Sequence, residues 1–417
     1  MKRILITSAI VFIVGVAMFI ESCSNNPVAP SLNIALIRSS NSLEVYPMNG
    51  DTAVITGSGF GSSGSVVFTS NVSVSSANCT EWTETEIRVV IPQNAVAGGV
   101  YVTQSGKNSN IYNLDILWPH YLPADGLADS LVSSIAIDHQ NNAWIGTDKG
   151  LSEFDGTHWT TYTVQNGLPS NNIHCVACDR QGNIWVGSDG GASEYNGSSW
   201  KTYTSTDGLV HNDVQAMTFD TSGNAWFGTY NGVSKFDGTN WSTYQHSDLR
   251  PDTTIIYNNV LSAAVDKKGH KWFGTYGYGV DEFYNDTVWT PYTWPGAEIP
   301  YARVYCVGVD SQGVVWIGTF TGGVSRYDGS SWTVYTKPNS GTNGLADYTV
   351  ASLTFDKLGN KWFGTYNGVS KFDGTNWTTY NTNNGIPNNI ITAMAFDNNG
   401  YLWIGTNGGG VAHCNFH

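Results

Sequence analysis

Charged residues are scarce in this sequence. Only 12% of its 417 residues are Asp, Glu, Lys or Arg, about half the ~25% usual for soluble domains. Asp and Glu number 33 against 19 Lys and Arg, so the net charge is -14. Nucleic acids and anionic membrane surfaces are bound through basic patches. We therefore expect no nucleic-acid partner and no membrane contact through the surface of the folded chain.

Cysteine and catalytic motifs are equally sparse. The six Cys residues do not show the paired Cys or His spacing of a zinc site. No phosphate-binding loop, Ser-His-Asp signature or metal motif is present, so we expect no cofactor, no metal and no assigned catalytic residue. His174 and His211 lie at neighbouring positions of the repeat described below, where a lyase could use them. With nine His in the chain, chance placement is the better explanation.

Only one long hydrophobic run occurs, at the N-terminus. Lys2 and Arg3 precede an apolar stretch over residues 4–20, which predicts a secretory signal peptide over residues 1–22. Its end resembles a bacterial lipobox, which implies lipidation of Cys23 and anchoring in the cell envelope. Ser24, in place of the Asp that retains enteric lipoproteins at the inner membrane, favours the outer membrane. A plain signal peptide or an anchor helix is the alternative.

Glycine and aromatic residues are abundant instead. The chain has 47 Gly, 22 Tyr, 16 Trp and 16 Phe, which favours short strands joined by tight turns. Residues 23–31 are predicted to be a tether. Residues 32–116 alternate apolar strands with turns at Gly57, Gly59 and Gly61, and they resemble the IPT/TIG family. The resemblance implies an immunoglobulin-like sandwich that acts as a spacer.

The remainder, residues 117–417, is periodic. Seven copies of Trp-x-Gly-Thr/Ser recur at intervals of 41 to 46 residues, each preceded six residues earlier by an aspartate. The tryptophans are Trp144, Trp185, Trp226, Trp272, Trp316, Trp362 and Trp403. Turn residues divide each unit into four short strands. A four-stranded sheet cannot bury both of its faces alone, so units of this size predict a β-propeller with seven blades.

The two ends of the periodic region predict how the ring closes. The seventh unit reaches residue 417 after three strands and lacks the fourth, a Trp-x-x-Tyr segment. That segment stands before the first unit, as Trp118 to Tyr121. We therefore expect an all-β fold in which this N-terminal strand completes the last blade.

The repeat resembles the two-component regulator propeller family, for example over residues 167–187. That family forms periplasmic sensor domains of hybrid histidine kinases, often responding to oligosaccharides. Because the sequence lacks a kinase and a regulator domain, the resemblance implies a binding fold rather than a signalling enzyme.

Small residues recur near the start of each innermost strand, where packing around a narrow channel requires them. They are Ser134, Cys175, Ala216, Ser262, Cys306, Ser352 and Ala393.

Function is expected where the repeats differ. The loop after Trp-x-Gly-Thr begins with an aromatic residue in four adjacent blades and with a polar residue in three. These residues are Tyr230, Tyr276, Phe320 and Tyr366, and Asp148, Asp189 and Asn407. Rings beside carboxylates and amides suit sugar binding, because rings cover the apolar sugar face while the polar groups bind hydroxyls. The alternative is that these rings pack on neighbouring loops.

The loops between blades supply three further candidates, Tyr257, Tyr301 and Arg303. They follow insertions at 248–256 and 294–300, and long loops in a regular array are more often functional. The sequence thus predicts a non-enzymatic recognition protein that binds an oligosaccharide or an envelope protein. The alternatives are a polysaccharide lyase or glycosidase at the channel mouth and a structural scaffold.

Overall fold

The computed structural model describes residues 32–39, 52–69, 72–92, 98–114, 119–245, 259–293, 299–338, 343–414 and 416. Over these ranges the chain is all-β, with only single 3-10 turns such as Val164–Asn166 besides the strands. None of the helical segments in these ranges has the length and apolarity needed to cross a membrane. Cys23, Trp118 and Tyr257 lie outside the described residues.

The N-terminal strands form two antiparallel sheets. They are β1 Asn33–Ser39, β2 Thr52–Ser58, β3 Ser65–Phe68, β4 Val72–Ser75, β5 Glu81–Trp82, β6 Glu86–Val90, β7 Gly98–Gln104, β8 Lys107–Asn108 and β9 Tyr112–Leu114. The first sheet has the order β1-β2-β6-β5 and the second β4-β3-β7-β8, with β9 also paired to β7. Ile55 and Ile87 from the first sheet and Val66 and Val102 from the second are buried in one core.

The three glycines expected in turns have different roles. Gly59 and Gly61 have φ angles of 72° and 59°, a region that favours glycine. Gly57 lies inside β2, where a Cβ would collide with the carbonyl oxygen of Asn33. The turn role was therefore wrong for Gly57, which is required by the close approach of another strand.

From residue 119 the strands form seven four-stranded antiparallel sheets, here called blades 1 to 7. Blade 1 contains β11 Val132–Ile137, β12 Ala143–Thr147, β13 Gly150–Phe154 and β14 Trp159–Tyr162; blade 2 contains β15 Ile173–Cys178, β16 Ile184–Ser188, β17 Gly191–Tyr195 and β18 Trp200–Tyr203; blade 3 contains β19 Val214–Phe219, β20 Ala225–Thr229, β21 Gly232–Phe236 and β22 Trp241–Tyr244. Blade 4 contains β23 Val260–Val265, β24 Lys271–Thr275, β25 Gly279–Tyr284 and β26 Val288–Thr293; blade 5 contains β27 Val304–Val309, β28 Val315–Thr319, β29 Gly323–Tyr327 and β30 Trp332–Tyr335. Blade 6 contains β31 Val350–Phe355, β32 Lys361–Thr365, β33 Gly368–Phe372 and β34 Trp377–Tyr380; blade 7 contains β35 Ile391–Phe396, β36 Leu402–Thr406, β37 Val411–Cys414 and, as its fourth strand, β10 His120–Tyr121.

The blades are arranged in a closed ring. The first strand of each blade contacts the first strand of the next, and β35 of blade 7 contacts β11 of blade 1. His120 pairs with Ala412 and Tyr121 with Val411. This pairing confirms, for these two residues, the prediction that the strand before the first repeat completes the last sheet.

The repeated aspartate and tryptophan stabilise each blade internally. In blade 2, the backbone N–H of Gly182 donates to the carbonyl oxygen of Asp179 at 3.1 Å, which closes the predicted tight turn. The indole N–H of Trp185 donates to the Asp179 carboxylate at 3.0 Å. The same indole–carboxylate bond occurs in blades 1, 3, 5 and 6 at 2.9 to 3.0 Å. These residues therefore act in the scaffold of the ring.

Aromatic contacts join one blade to the next. The Trp185 ring stacks on Tyr203 of its own blade at 5.6 Å and lies 5.7 Å from Phe227 of blade 3. Such pairs contribute about 0.5–1.5 kcal/mol each beyond the area they bury. Equivalent contacts recur around the ring, so the core of the propeller lies between the blades.

Candidate functional site

A β-bulge at the start of every innermost strand positions the residues around the ring axis. In blade 1, Val132 pairs with Thr147 and Ser134 with Gly146, which leaves Ser133 without a partner in the ladder. The same register shift occurs in the other six blades. A bulge changes the direction in which a side chain points, and here the second residue of each innermost strand lines a central cavity. These residues are Ser133, His174, Gln215, Leu261, Tyr305, Ala351 and Thr392.

This cavity, which we call the mouth, has a volume of about 450 Å³. Besides the bulge residues it is lined by Leu131, Val132, Asp148, Tyr366 and Asn407. Three residues expected from sequence to bind a ligand, Asp148, Tyr366 and Asn407, are therefore at its edge. Of the bulge residues, His174 was considered from sequence as a possible lyase residue; the other six were not identified, because strict strand alternation does not indicate an extra residue.

The small residues predicted at the third position do not line the mouth. Cys175 Sγ lies 3.9 Å from the carbonyl oxygen of Val214 in the next blade. A Cβ on Gly187 would lie 2.5 Å from the same sulfur. Small size is thus required by the close approach of two strands near the axis. Burial raises the pKa of the Cys175 and Cys306 thiols to about 12, so neither supplies a thiolate at neutral pH.

Six side chains from blades 4 to 6 and the loop before blade 5 form what we call the Arg303 cluster. Its members are Tyr276, Tyr301, Arg303, Tyr305, Phe320 and Tyr366. The guanidinium carbon of Arg303 lies 3.8 Å from the ring centre of Tyr276 and 5.1 Å from that of Phe320. The Tyr301 and Tyr305 rings each lie 5.8 Å from Phe320, edge to face. Five of the ten ligand-binding residues expected from sequence are thus in one cluster, and Tyr305 is an addition.

The electrostatics of this cluster centre on Arg303. Its Nη1 donates to the Tyr305 hydroxyl at 3.4 Å. That bond raises the pKa of Arg303, against the opposing effect of its burial, so the group stays cationic. Burial, with the neighbouring Tyr305, raises the pKa of Tyr366, which keeps this phenol neutral. The cluster therefore presents one cation among neutral rings.

The rings remain accessible although they pack on Arg303. Tyr276, Tyr301 and Tyr366 are 41%, 36% and 40% exposed, and Phe320 is half-buried. The sequence analysis expected exposed rings, with packing on neighbouring loops as the alternative. Both descriptions hold in part, because each ring contacts the cluster on one side and is partly exposed.

Three buried polar atoms, one on Thr392 in the lining of the mouth and two in the loops before blades 4 and 5, have no hydrogen-bond partner in the described part of the chain. They are Arg303 Nε, Asn259 Oδ1 and Thr392 Oγ1. Leaving such an atom unsatisfied costs about 1–3 kcal/mol. A ligand or water that reaches them would recover this free energy.

The opposite side of the mouth is acidic. Asp148 and Asp189 are exposed there, and Asp189 accepts a hydrogen bond from the Asn172 amide at 3.3 Å. Asp213 accepts from the Gln215 amide, and its Oδ1 lies 3.3 Å from His174 Nε2. Blades 1 to 3 therefore present carboxylates, whereas blades 4 to 6 present the cation and most of the rings.

One of the predicted rings stands apart from the Arg303 cluster. Tyr230 is 56% exposed and lies 5.7 Å from the His211 ring. Tyr257 is outside the described residues, so its place at the mouth stays a prediction. Within the described ranges, no group of three or more His, Cys, Asp or Glu side chains could hold a metal ion.

A family model described as a two component regulator propeller matches five segments of the chain, 126–149, 167–190, 208–231, 298–321 and 385–408. These repeats are therefore present in blades 1, 2, 3, 5 and 7. The matched segments run from the connection before each blade, through its first two strands, to the loop after Trp-x-Gly-Thr/Ser.

Three solved structures share the fold. The extracellular domain of a hybrid two component system from B. thetaiotaomicron is 20% identical with a TM-score of 0.62, over 92% of this chain and 56% of that one. Virginiamycin B lyase from Staphylococcus aureus is 13% identical with a TM-score of 0.55, over 68% of this chain and 94% of that one. PorZ, a surface component of the type-IX secretion system of Porphyromonas gingivalis, is 17% identical with a TM-score of 0.55, over 88% of this chain and 55% of that one. These identities establish a common fold and no common activity.

Curated relatives match only a short piece of the chain. A cyclomaltodextrin glucanotransferase from Niallia circulans is 44% identical over 73 residues, 16% of this chain and 10% of the enzyme. One from Bacillus licheniformis is 42% identical over 67 residues, 15% of this chain and 9% of the enzyme. The chain thus spans about a tenth of the length of these enzymes.

Proposed function

We propose that this chain is a non-enzymatic recognition protein that binds an oligosaccharide at the mouth. The Arg303 cluster is the observation that carries the proposal. Half-exposed rings can cover the apolar faces of sugar rings, and the carboxylates across the mouth can accept hydrogen bonds from hydroxyl groups. A ligand that spans the mouth would contact both sides.

The unpaired polar atoms support a ligand with hydroxyl groups. A hydroxyl both donates and accepts a hydrogen bond. It can therefore accept from the buried Arg303 Nε and donate to Asn259 Oδ1, which a purely apolar ligand would leave unsatisfied. An envelope protein is the other partner compatible with this surface, since exposed tyrosines and an arginine are common at protein interfaces.

The finer features of the architecture belong to the same proposal. The seven sheets are the complete set of propeller blades, and the N-terminal pair of sheets is an IPT/TIG domain with an immunoglobulin-like fold that acts as a spacer. Lipidation of Cys23 attaches the chain to the outer membrane, and residues 23–31 are the tether. The extracellular placement of the hybrid-system domain and the surface role of PorZ are consistent with this location.

A glycan array probed with the purified whole chain tests the binding proposal. We expect one class of oligosaccharide to bind, and binding to be lost when Tyr230, Tyr276, Phe320 and Tyr366 are changed to Ala together. Leu358→Ala is the matched control, because Leu358 is 78% exposed on a turn at the other end of the strands. No glycan signal, or an equal signal from the fourfold variant, would overturn the proposal.

A lyase is the second candidate, and the contact between His174 and Asp213 is the observation that favours it. A carboxylate that orients an imidazole facing a cavity is the arrangement of a general base. His174→Gln would abolish the formation of unsaturated products from an acidic polysaccharide if this candidate is correct. Equal product formation by His174→Gln and the parent chain, or none by either, would remove it.

A further inference from the structure

A network of side-chain hydrogen bonds that is complete in blades 1 and 2 is incomplete in blade 4. In blade 1, the Asn142 amide donates to Asp138 Oδ2 at 2.9 Å and to Glu153 at 3.4 Å. The Trp144 indole donates to the same Asp138 oxygen at 3.0 Å. The amide and the indole thus satisfy that carboxylate oxygen entirely from within the blade.

Blade 4 has His270 where blades 1 and 2 have Asn. Its Nδ1 lies 2.6 Å from Glu282 Oε1 and 3.7 Å from Asp266 Oδ2, too far for a hydrogen bond. Trp272 is 2% exposed, and its indole N–H has no partner among the described residues. In the described chain, the hydrogen bonds to the Asp266 carboxylate come from the backbone N–H groups of Lys268 and His270 and reach only Oδ1.

The residues that carry the two unpaired atoms, Trp272 Nε1 and Asp266 Oδ2, line a second cavity. It has a volume of about 280 Å³ and is lined by Asp266, His270 and Trp272 of blade 4 together with Gln312 and Asp328 of blade 5. Asp266, His270, Gln312 and Asp328 belong to turns at the ends of the strands opposite to the mouth, and Trp272 lies in β24, two residues after His270. The cavity, which we call the blade 4/5 pocket, is therefore separate from the proposed oligosaccharide site.

The chemistry of these atoms selects a class of ligand. Trp272 Nε1 needs an acceptor, whereas Asp266 Oδ2 needs a donor. A hydroxyl group is both; an ammonium group cannot accept, and a carboxylate would be repelled by Asp266. A metal ion is disfavoured because the described residues hold no group of three suitable donors. Lys268, Gln312 and Asp328 offer donors and acceptors for further hydroxyls.

We propose that the blade 4/5 pocket is a second binding site, which takes a small polyhydroxylated ligand of about one sugar ring. One hydroxyl of the ligand donates to Asp266 Oδ2 and accepts from Trp272 Nε1. His270 stands where blade 1 has the amide that bridges the two carboxylates; its Nδ1 lies 2.6 Å from Glu282 and leaves Asp266 Oδ2 without that donor.

The whole chain with ¹⁵N-labelled tryptophan indoles tests this site by NMR. The probes are D-glucose, D-galactose, D-mannose and glycerol, and Trp272→Phe assigns the resonance. At least one probe should shift the Trp272 indole signal. His270→Asn, which rebuilds the network, should weaken the response about tenfold, as expected for the loss of one strong hydrogen bond, and should raise the melting temperature.

Trp226→Phe is the control, because the Trp226 indole already donates to Asp220 at 2.9 Å; it should leave the Trp272 response unchanged. A Trp272 signal that no probe moves would show that the pocket holds structural water only and would overturn the proposal. A response retained in full by His270→Asn would overturn it as well. Neither result bears on the mouth, whose substitutions lie at the other end of the strands.

Discussion

Truncation of Tyr121 tests how the ring is closed. Tyr121 is half-buried, and its ring lies 5.1 Å from Phe154 and 5.3 Å from Trp159 of blade 1 and 5.9 Å from Trp403 of blade 7. Full burial of a large aromatic side chain is worth about 3–5 kcal/mol against Ala. We therefore expect Tyr121→Ala to cost about 2–3 kcal/mol.

The segment of the chain in which Tyr121→Ala loses stability distinguishes a role in ring closure from ordinary packing. Among the described residues, two residue pairs and a bond from the His413 N–H to the Pro119 carbonyl oxygen at 2.8 Å join residues 119–121 to β37. The free energy of opening blade 7 should therefore fall by the full amount. Amide hydrogen exchange over residues 402–414 should then accelerate by about 30- to 150-fold. Hydrogen exchange with mass spectrometry measures this directly.

Tyr162→Ala is the matched control, because Tyr162 occupies the same place in blade 1 and stacks on Trp144 at 5.6 Å. Its strand continues from the rest of blade 1 along the chain, so exchange over 402–414 should stay near that of the parent. If Tyr121→Ala left that segment unchanged, or if both variants accelerated it equally, the role of β10 in closure would be refuted.

Two further predictions concern the scaffold. Asp220→Asn removes the carboxylate that accepts from Trp226 and should cost about 1–3 kcal/mol at neutral pH. Burial raises the pKa of Asp220, but the hydrogen bonds from Trp226 and Asn224 outweigh it and hold the pKa below the usual value. This stabilisation is therefore complete above the usual Asp pKa and is lost as the pH falls through the lower folded-state pKa. The free energies of urea unfolding of the parent and of Asp220→Asn should accordingly converge in strong acid. A difference that grows there would contradict the argument. Gly187→Ala should cost about 3 kcal/mol, the upper part of the usual cost of overpacking, because its Cβ would lie 2.5 Å from Cys175 Sγ. Gly156→Ala, with φ 98° and open space around it, should cost about 1 kcal/mol of backbone strain. An equal loss in thermal unfolding would refute the crowding near the axis.

The ring was predictable because the repeat is long and turn residues mark the ends of the strands in each unit. Trp144 and Asp138 recur with fixed spacing, and the segment ending at Tyr121 has the spacing of the strand missing at the other end. Local signals that agree seven times specify a fold strongly. That regularity is why the pairing of β10 with β37 could be predicted from the sequence.

The lining of the mouth was not predictable in the same way. One inserted residue reverses which side chains face the axis, and no residue type marks the bulge at Ser133 or His174. Rings at the same loop position of adjacent blades did indicate the Arg303 cluster. The contact of Arg303 with Tyr276, and the inclusion of Tyr305, depend on how the loop before blade 5 approaches its neighbours.

The opening in blade 4 shows a third kind of limit. His270 is unremarkable as a sequence letter, since Val314 and Tyr401 also replace the Asn elsewhere. Its effect arises because imidazole Nδ1 reaches Glu282 and leaves Asp266 Oδ2 at 3.7 Å. Atomic geometry distinguishes this substitution from Val314, since the Trp316 indole of blade 5 still donates to Asp310 at 3.0 Å.

The bulge residues also bear on the pose of anything centred on the axis. A ring of identical units would offer such a molecule several equivalent rotational settings, which would be populated together. Here each unit projects a different side chain at the bulge, among them Ser133, His174 and Tyr305. The rotational orientations of a ligand are therefore no longer equal in energy, and it can bind in a single orientation although the backbone is nearly symmetric.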